Sequence, residues 1–291
     1  MRNDASVKRV LAPHGILGLG LVLLFWMLNW ALSGTRTHFL FFPLWLGYCL
    51  LVDALVLYRT GTSLLERSRK KFLCLFLASA PAWWLFEIIN WRLQNWHYLG
   101  AEDFSSLSFW CWATLNFSTV MPAVFESAEL IASFNFFKGK KKGPFLRPTT
   151  PTTIAFFTTG WMMLAAMLAW PDVFFPFTWL AVFFILEPLN IWLGNRTLAE
   201  YTGSGDWRPV LHLWLGVLLT ALFWEMWNYL SYPKWIYRLP WGDWFRIFEM
   251  PLPGYLGYLP FSLELFSLYH FLCRIFGEAR SGYIRLLSSR S

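Results

Sequence analysis

The chain reads as an all-α, polytopic integral membrane protein, with about eight transmembrane helices arranged as two parallel four-helix repeats. Three observations predict this. Of 291 residues, 57% are hydrophobic and only 14% charged, with a mean hydropathy of +0.43; an ordinary soluble domain carries roughly a quarter charged residues. The apolar residues come in eight continuous runs rather than in alternation, which favours helices over a barrel. An acidic pattern also recurs at a fixed offset. Glu87-x-x-Asn90 returns as Glu225-x-x-Asn228, and Pro122-x-x-x-Glu126 as Pro260-x-x-x-Glu264, all displaced by 138 positions. Trp96-x-Tyr98 returns 139 positions later as Trp235-x-Tyr237.

The first run, 14–33, contains Gly18 and Gly20, which let a neighbouring helix approach closely. The second, 38–58, carries Asp53, and the third, 72–91, ends on Glu87 and Asn90. The fourth, 106–134, holds Pro122 and Glu126. A basic linker rich in Gly, Pro and Thr, 138–152, separates the N-terminal repeat (1–137) from the C-terminal one (153–273). There the runs are 153–170, 172–195, 210–231 and 247–273, followed by a tail, 274–291. Glu187-Pro188, 134 positions after Asp53, predicts a bend in the sixth helix beside an acid. Four spans per half give both halves one orientation, related by an axis along the membrane normal.

Charge predicts the orientation. Arg2, Lys8, Arg9, Arg59, Arg67, Arg69, Lys70, Lys71, Lys138, Lys140, Lys141, Lys142, Arg147, Arg196, Arg208, Arg274, Arg280, Arg285 and Arg290 fall on one side, and only Arg36, Arg92, Lys234, Arg238 and Arg246 on the other. The positive-inside rule then puts both termini in the cytoplasm of a bacterial-type inner membrane. The net charge of +7 reads as topology and contact with membrane lipids, not as nucleic-acid binding. No cleavable signal is predicted, because the first apolar run is long and lacks a small-residue cleavage site. Cys49, Cys74, Cys111 and Cys273 read as buried thiols.

On a helix, Glu87 and Asn90 share a face, as do Glu225 and Asn228, and each proline shares one with its glutamate. The prolines free the carbonyls of Ser118 and Leu256. No Lys or Arg lies well inside a span, so the acids lack an obvious counter-ion. At ~2.5–3.5 kcal/mol for each central charged acid, six ionised acids would cost on the order of 15–20 kcal/mol. That exceeds the ~5–15 kcal/mol net stability of a typical domain. The acids are therefore protonated and hydrogen-bonded, or hold a cation, or line a water-filled cavity. The bland alternative is polar glue between helices. Glu129 and Glu249 have no acidic counterpart; Ser267 and Cys111 stand at the related positions.

The expected catalytic residues are Glu126, Glu264, Glu87 and Glu225. Asn90, Asn228, Trp84, Trp112, Trp224, Trp227, Asp53 and Glu187 are the expected binding residues. Corresponding helices would turn these acids onto one central cavity. The loop aromatics Trp91, Trp96, Tyr98, Tyr229, Tyr232, Trp235, Tyr237, Trp241 and Trp244 form either an interfacial belt or a lid over a lipophilic pocket. His14, His38, His97, His212 and His270 show no zinc or di-iron spacing, so no metal is expected, and no cofactor or protein partner is identified. His270 reads as an interfacial histidine.

Glu87 or Glu225, a following Trp-x-Tyr loop, and Gly257-x-x-Pro260-x-x-x-Glu264 together resemble the lycopene cyclase-domain family over about 40 residues of each half. The family's proline–acid motif carries two adjacent acids, whereas Phe261, Ser262 and Leu263 lead here to a single Glu264. The resemblance implies proton-initiated ring closure of a carotenoid. Three functions follow as expectations: an acid-catalysed enzyme on an isoprenoid or other lipid, a cation- or proton-coupled transporter, and a non-catalytic lipid-binding scaffold.

Overall fold

A computed structural model describes residues 10–32, 34, 37–137 and 143–287. Arg2, Lys8, Arg9, Arg36, Lys138, Lys140, Lys141, Lys142 and Arg290 lie outside the described residues. In the first half, α1 (Pro13–Ala31) and α2 (Thr37–Thr60) pair closely, followed by the short α3 (Leu64–Arg67) and the long α4 (Arg69–Leu93). A strand, β1 (Trp96–Leu99), leads to α5 (Ser106–Phe117) and α6 (Val120–Ser133). The second half runs α7 (Thr150–Ala169), α8 (Pro171–Phe174), α9 (Ala181–Trp192), α10 (Ala199–Thr202) and α11 (Arg208–Tyr229). Strands β2 (Lys234–Tyr237), β3 (Arg246–Ile247) and β4 (Met250–Pro251) precede α12 (Tyr255–Ile275).

Among the described residues, five helices are long and apolar enough to cross a membrane: α1, α2, α4, α7 and α11. The pair Pro171–Trp179 and Ala181–Trp192, bent by 42°, makes a sixth if it is one span. Eight such helices are not found among the described residues, for two reasons. The expected fourth helix breaks at Ser118–Thr119, leaving two pieces too short to span. The expected eighth begins only at Tyr255, because Pro251 and Pro253 sit in a strand and a 3-10 turn; its 21 residues are long enough to span, but Tyr255, Tyr258, Glu264, Tyr269, His270 and Arg274 leave it less apolar than the five. The chain is mostly helical, and among the described residues four short strands close the end of the bundle where α4 and α11 finish.

Two breaks depart from expectation. The sixth helix turns at Leu180, whereas α9 runs through Pro188 without interruption. At Ser118–Thr119, the Ser79 hydroxyl donates to the Phe117 carbonyl (2.7 Å) and accepts from the Met121 N–H (3.0 Å). A side chain of α4 thus stands inside what would be an i→i−4 bond, a recognised cause of a helix kink. α7 starts inside the expected linker because Thr149 and Thr152 form a reciprocal capping box.

Close packing has a simple source. A Cβ on Gly18 would overlap the backbone of Gly47 and Leu51, so α1 and α2 meet through glycine, while Gly20 faces open space. Between the halves, a Cβ on Gly216 of α11 would overlap the Ala128 backbone of α6. Gly216→Val is expected to cost about 1–3 kcal/mol by overpacking. A lowered midpoint of thermal unfolding in detergent checks this, with Gly20→Val as the near-neutral control.

The tail is not a free segment. Residues 281–287 form a strap across the end opposite the strands, with Tyr283, Ile284 and Leu286 buried. It is tied to both halves. The Tyr283 hydroxyl donates to the Leu64 carbonyl (2.9 Å), and Leu286 O meets His212 Nδ1 (2.7 Å). Cys49 is buried, but Cys74 and Cys111 are exposed and Cys273 is intermediate. Lying within an apolar helix does not decide which way a thiol faces. His270 is fully buried inside the protein, beside Phe266 and Tyr269.

Candidate functional site

Each half builds the same local unit. The α4 helix ends with Glu87 and Asn90 on one face, and a left-handed Gln94 (φ 57°) turns the chain back over it. Asn90 Oδ1 accepts the Asn95 N–H (2.9 Å) and Trp96 N–H (3.3 Å), and its amide donates to the Trp96 carbonyl (2.9 Å). The second half repeats this: Asn228 Oδ1 accepts from Trp235 N–H (3.0 Å), and its amide donates to the Trp235 carbonyl (2.8 Å). The asparagine therefore pins the strand, and the strand delivers Trp-x-Tyr to the glutamate.

Glu87 Oε1 accepts from Tyr98 OH (2.5 Å), Trp83 Nε1 (2.8 Å) and Trp96 Nε1 (3.1 Å). Glu225 Oε1 accepts from Tyr258 OH (2.6 Å) and Tyr237 OH (2.8 Å), and Trp235 Nε1 donates to Tyr237 OH (2.9 Å). β1 and β2 then pair antiparallel, Trp96 opposite Tyr237 and Tyr98 opposite Trp235. This register maps one Trp-x-Tyr onto the other about the His97–Ile236 pair. Burial, reinforced by Glu87, pushes the Tyr98 phenol well above its ordinary range; burial and Glu225 do the same to Tyr237. Both phenols therefore keep their protons at any ordinary pH.

Between these units, under the ribbon, lies a cavity of about 130 Å³. Its walls are largely aromatic: Phe41, Trp83, Trp96, Tyr98, Phe109, Phe117, Trp179, Trp224, Trp235, Tyr237, Tyr258 and Phe261 all contribute. His38, Asn116 and Thr119 add polar atoms. The four Glu expected to be catalytic do not line it. Glu87 and Glu225 stand one hydrogen bond behind the wall.

The other acids lie elsewhere, all buried. Glu264 Oε1 accepts the Val182 N–H (3.2 Å) in the first turn of α9, at the broken sixth helix. Glu126 faces Asp53. That contact is a hydrogen bond only when one of the two carries a proton; with both ionised, neither Glu126 oxygen has a donor among the described residues. Asp53 accepts from Ser63 OH (2.7 Å) and Leu65 N–H (2.8 Å) and meets His14 Nε2 (3.0 Å). Glu187 accepts from Ser267 OH (2.7 Å) and Ala199 N–H (3.0 Å). Each of these two acids thus holds the short helix twelve residues ahead of it, α3 or α10. They are structural counterparts, away from the cavity.

Two acids have counter-ions the spacing did not reveal. Arg67, from α3, reaches Glu129 at 2.5 Å, and the Arg285 N–H of the strap donates to the same oxygen (2.8 Å). Glu249 pairs with Lys234 across the strands. Among the described residues no cluster of His, Cys, Asp or Glu is arranged to hold a metal ion.

Of the expected binding tryptophans, Trp224 lines the cavity. Trp84 turns away and donates to Thr114 (3.0 Å), Trp112 packs on Phe39, and Trp227 is buried among Trp26, Trp45 and Tyr48. Trp83, four before Glu87, is the one that lines the cavity; Trp84, three before it, is also near the same face by spacing, and only the structure turns it away. Tyr258 sits within the Gly257–Pro260 motif, but only packing of α12 on α11 brings it to Glu225. The loop aromatics divide: Trp91, Trp241 and Trp244 are exposed, as in a belt, while Trp96, Tyr98, Trp235 and Tyr237 turn inward as a cover.

No protein-family model matches the chain, and no significant match exists among curated proteins or solved structures.

Proposed function

We propose that the chain is a membrane-embedded enzyme that binds the end of an isoprenoid or similar lipid in the aromatic cavity and acts on it by acid catalysis. One observation carries this: two repeat-related glutamates stand directly behind tyrosines that face a nearly apolar, aromatic-walled cavity. The step requires Glu87 in its protonated form, with the 2.5 Å contact reversed so that the carboxyl O–H donates to the Tyr98 oxygen and the phenol O–H turns to the cavity; the phenol proton then passes to a substrate double bond as the Glu87 proton moves to the phenol oxygen, leaving a neutral phenol and a carboxylate. The aromatic walls suit the resulting carbocation through cation–π attraction. Tyr237 and Glu225 form the equivalent relay. A cavity of about 130 Å³ takes a small ring or a short chain end, not a whole polyene. The resemblance to the lycopene cyclase-domain family agrees with this chemistry.

This reading includes the full topology. α5 with α6, and α12, complete eight crossings in two parallel repeats with both termini cytoplasmic, and the ribbon caps the outer side.

Tyr98→Phe is expected to lower turnover of an isoprenoid substrate by about 10²–10⁴-fold while leaving Kd within about threefold, the loss typical of a removed proton donor. Tyr237→Phe should act alike if both relays work. Single-turnover assays on candidate isoprenoids with separately measured binding check this; unchanged turnover in both variants refutes the relay.

A second reading, a cation-coupled carrier, is favoured by the bent sixth helix and by Glu264 at the N-terminus of α9, a broken-helix arrangement common in transporters. It requires stability to depend on a coupling ion. Thermal midpoints unchanged across sodium concentrations and pH would remove it.

A further inference from the structure

We propose that the cavity selects a neutral lipid bearing an oxygen function, an alcohol or ketone, over both a pure hydrocarbon and an acid. The inference rests on the cavity being a ligand site, as above, and adds the class of ligand. Most polar atoms in the wall are already committed. Tyr98, Tyr237 and Tyr258 donate to the glutamates, and Thr119 OH donates to the Asn116 carbonyl (2.7 Å). Two fully buried atoms among the described residues are not: His38 Nε2 and Asn116 Oδ1 have no hydrogen-bond partner.

A buried polar atom is ordinarily satisfied, so two unsatisfied ones in one apolar cavity mark where a ligand's polar atoms go. Their positions are fixed. The His38 ring is held by Phe104 and Phe109, with centroids 3.7 and 4.9 Å away. Asn116 lies on α5 seven residues, two turns, beyond Phe109, so the two atoms mark two levels along the same wall. Asn116 Oδ1 accepts only, which calls for a hydroxyl donor; the imidazole accepts or donates according to its tautomer, so it takes a hydroxyl or a carbonyl.

An anion is disfavoured. The lone Lys or Arg among the described lining residues is Lys234, and it is already paired with Glu249 and with the Tyr229 carbonyl. Two glutamates stand behind the same wall. A hydrocarbon is accepted by the aromatic surface but leaves both polar atoms unsatisfied, and such a site discriminates against the analogue that lacks the polar group.

The test uses three probes of equal carbon number: geraniol, the hydrocarbon myrcene and geranic acid. Their affinities for the purified full-length protein in detergent are compared with those for His38→Phe and Asn116→Leu, which cancels partition into micelles. Geraniol is expected to bind the unsubstituted protein about tenfold or more tightly than either relative. Either substitution should remove most of that preference and leave myrcene affinity unchanged. If the three probes bind equally, or geranic acid binds best, the inference is overturned while the cavity stands as a lipid site. If none binds, the cavity reading itself fails and takes this inference with it. If a variant does not fold, His38→Gln, which keeps a hydrogen-bonding group, provides the second reading: retained preference supports the role of His38, and lost preference with intact folding opposes it.

Discussion

Arg67→Ala is expected to destabilise the protein by about 3–5 kcal/mol, the cost of leaving a buried carboxylate without its cation. The pair is well inside: Arg67 and Glu129 side chains are 9% and 4% exposed. The effect reaches beyond α3, because Glu129 also receives the Arg285 N–H that seats the strap. An unpaired Glu129 must ionise in a dry site or be neutralised, and both weaken the tie between α6 and the tail. Thermal unfolding in detergent reads the loss. Glu129→Gln in the same background should recover much of it, because it removes the unpaired charge, so that the double variant is no less stable than Glu129→Gln alone, which leaves Arg67 without its carboxylate. Additive losses would mean that the two residues act independently and that the contact stabilises nothing.

Asn228→Leu is expected to cost about 1–3 kcal/mol, since it removes the partners of both the N–H and the carbonyl of Trp235 at a partly buried site. Asn90→Leu should cost at least as much, because Asn90 also holds Asn95. The functional consequence exceeds the stability loss. Once unpinned, the strand no longer delivers Tyr237 to Glu225 or Tyr98 to Glu87. Asn228→Asp separates the two bonds, because a carboxylate still accepts the Trp235 N–H but has no amide to give its carbonyl. It should show about half the loss. Hydrogen exchange at the Trp235 amide, fast in the leucine variant and slow in the aspartate one, distinguishes them.

Much of this arrangement was readable from spacing. The 138-residue offset paired Glu87 with Glu225 and Asn90 with Asn228, and these pairs do the same work in both halves. The 134-residue offset paired Asp53 with Glu187, and each accepts an N–H twelve residues ahead. The repeated Trp-x-Tyr marks a related loop in each half, but its spacing does not show a strand that pairs with its own copy. Trp83 and Trp84, four and three before Glu87, both fall near its face, so spacing does not say which of them reaches the cavity.

Other features were beyond the sequence. It placed Glu126 and Glu264 among the reacting groups, yet the structure seats one against Asp53 and the other on α9. It offered no counter-ion for Glu129, because Arg67 approaches from a separate short helix. His38 shows no metal-ligand spacing and Asn116 no motif, since an isolated histidine and asparagine carry no signal for a ligand site.

By itself, then, the sequence determined what is local: which residues share a helix face, where a turn returns a Trp-x-Tyr segment to its glutamate, and that the unit occurs twice. Only the tertiary structure decided which faces look at each other. The physical reason is the surrounding medium. In water, an apolar stripe marks the side that packs inward. In a chain apolar on every side, both lipid and protein accept the same side chains, so periodicity no longer points to the core. The direction of each acid was therefore set by glycine contacts, by the ribbon and by the breaks at Ser118 and Leu180, each of them formed by residues distant in the chain or by a backbone that had to turn.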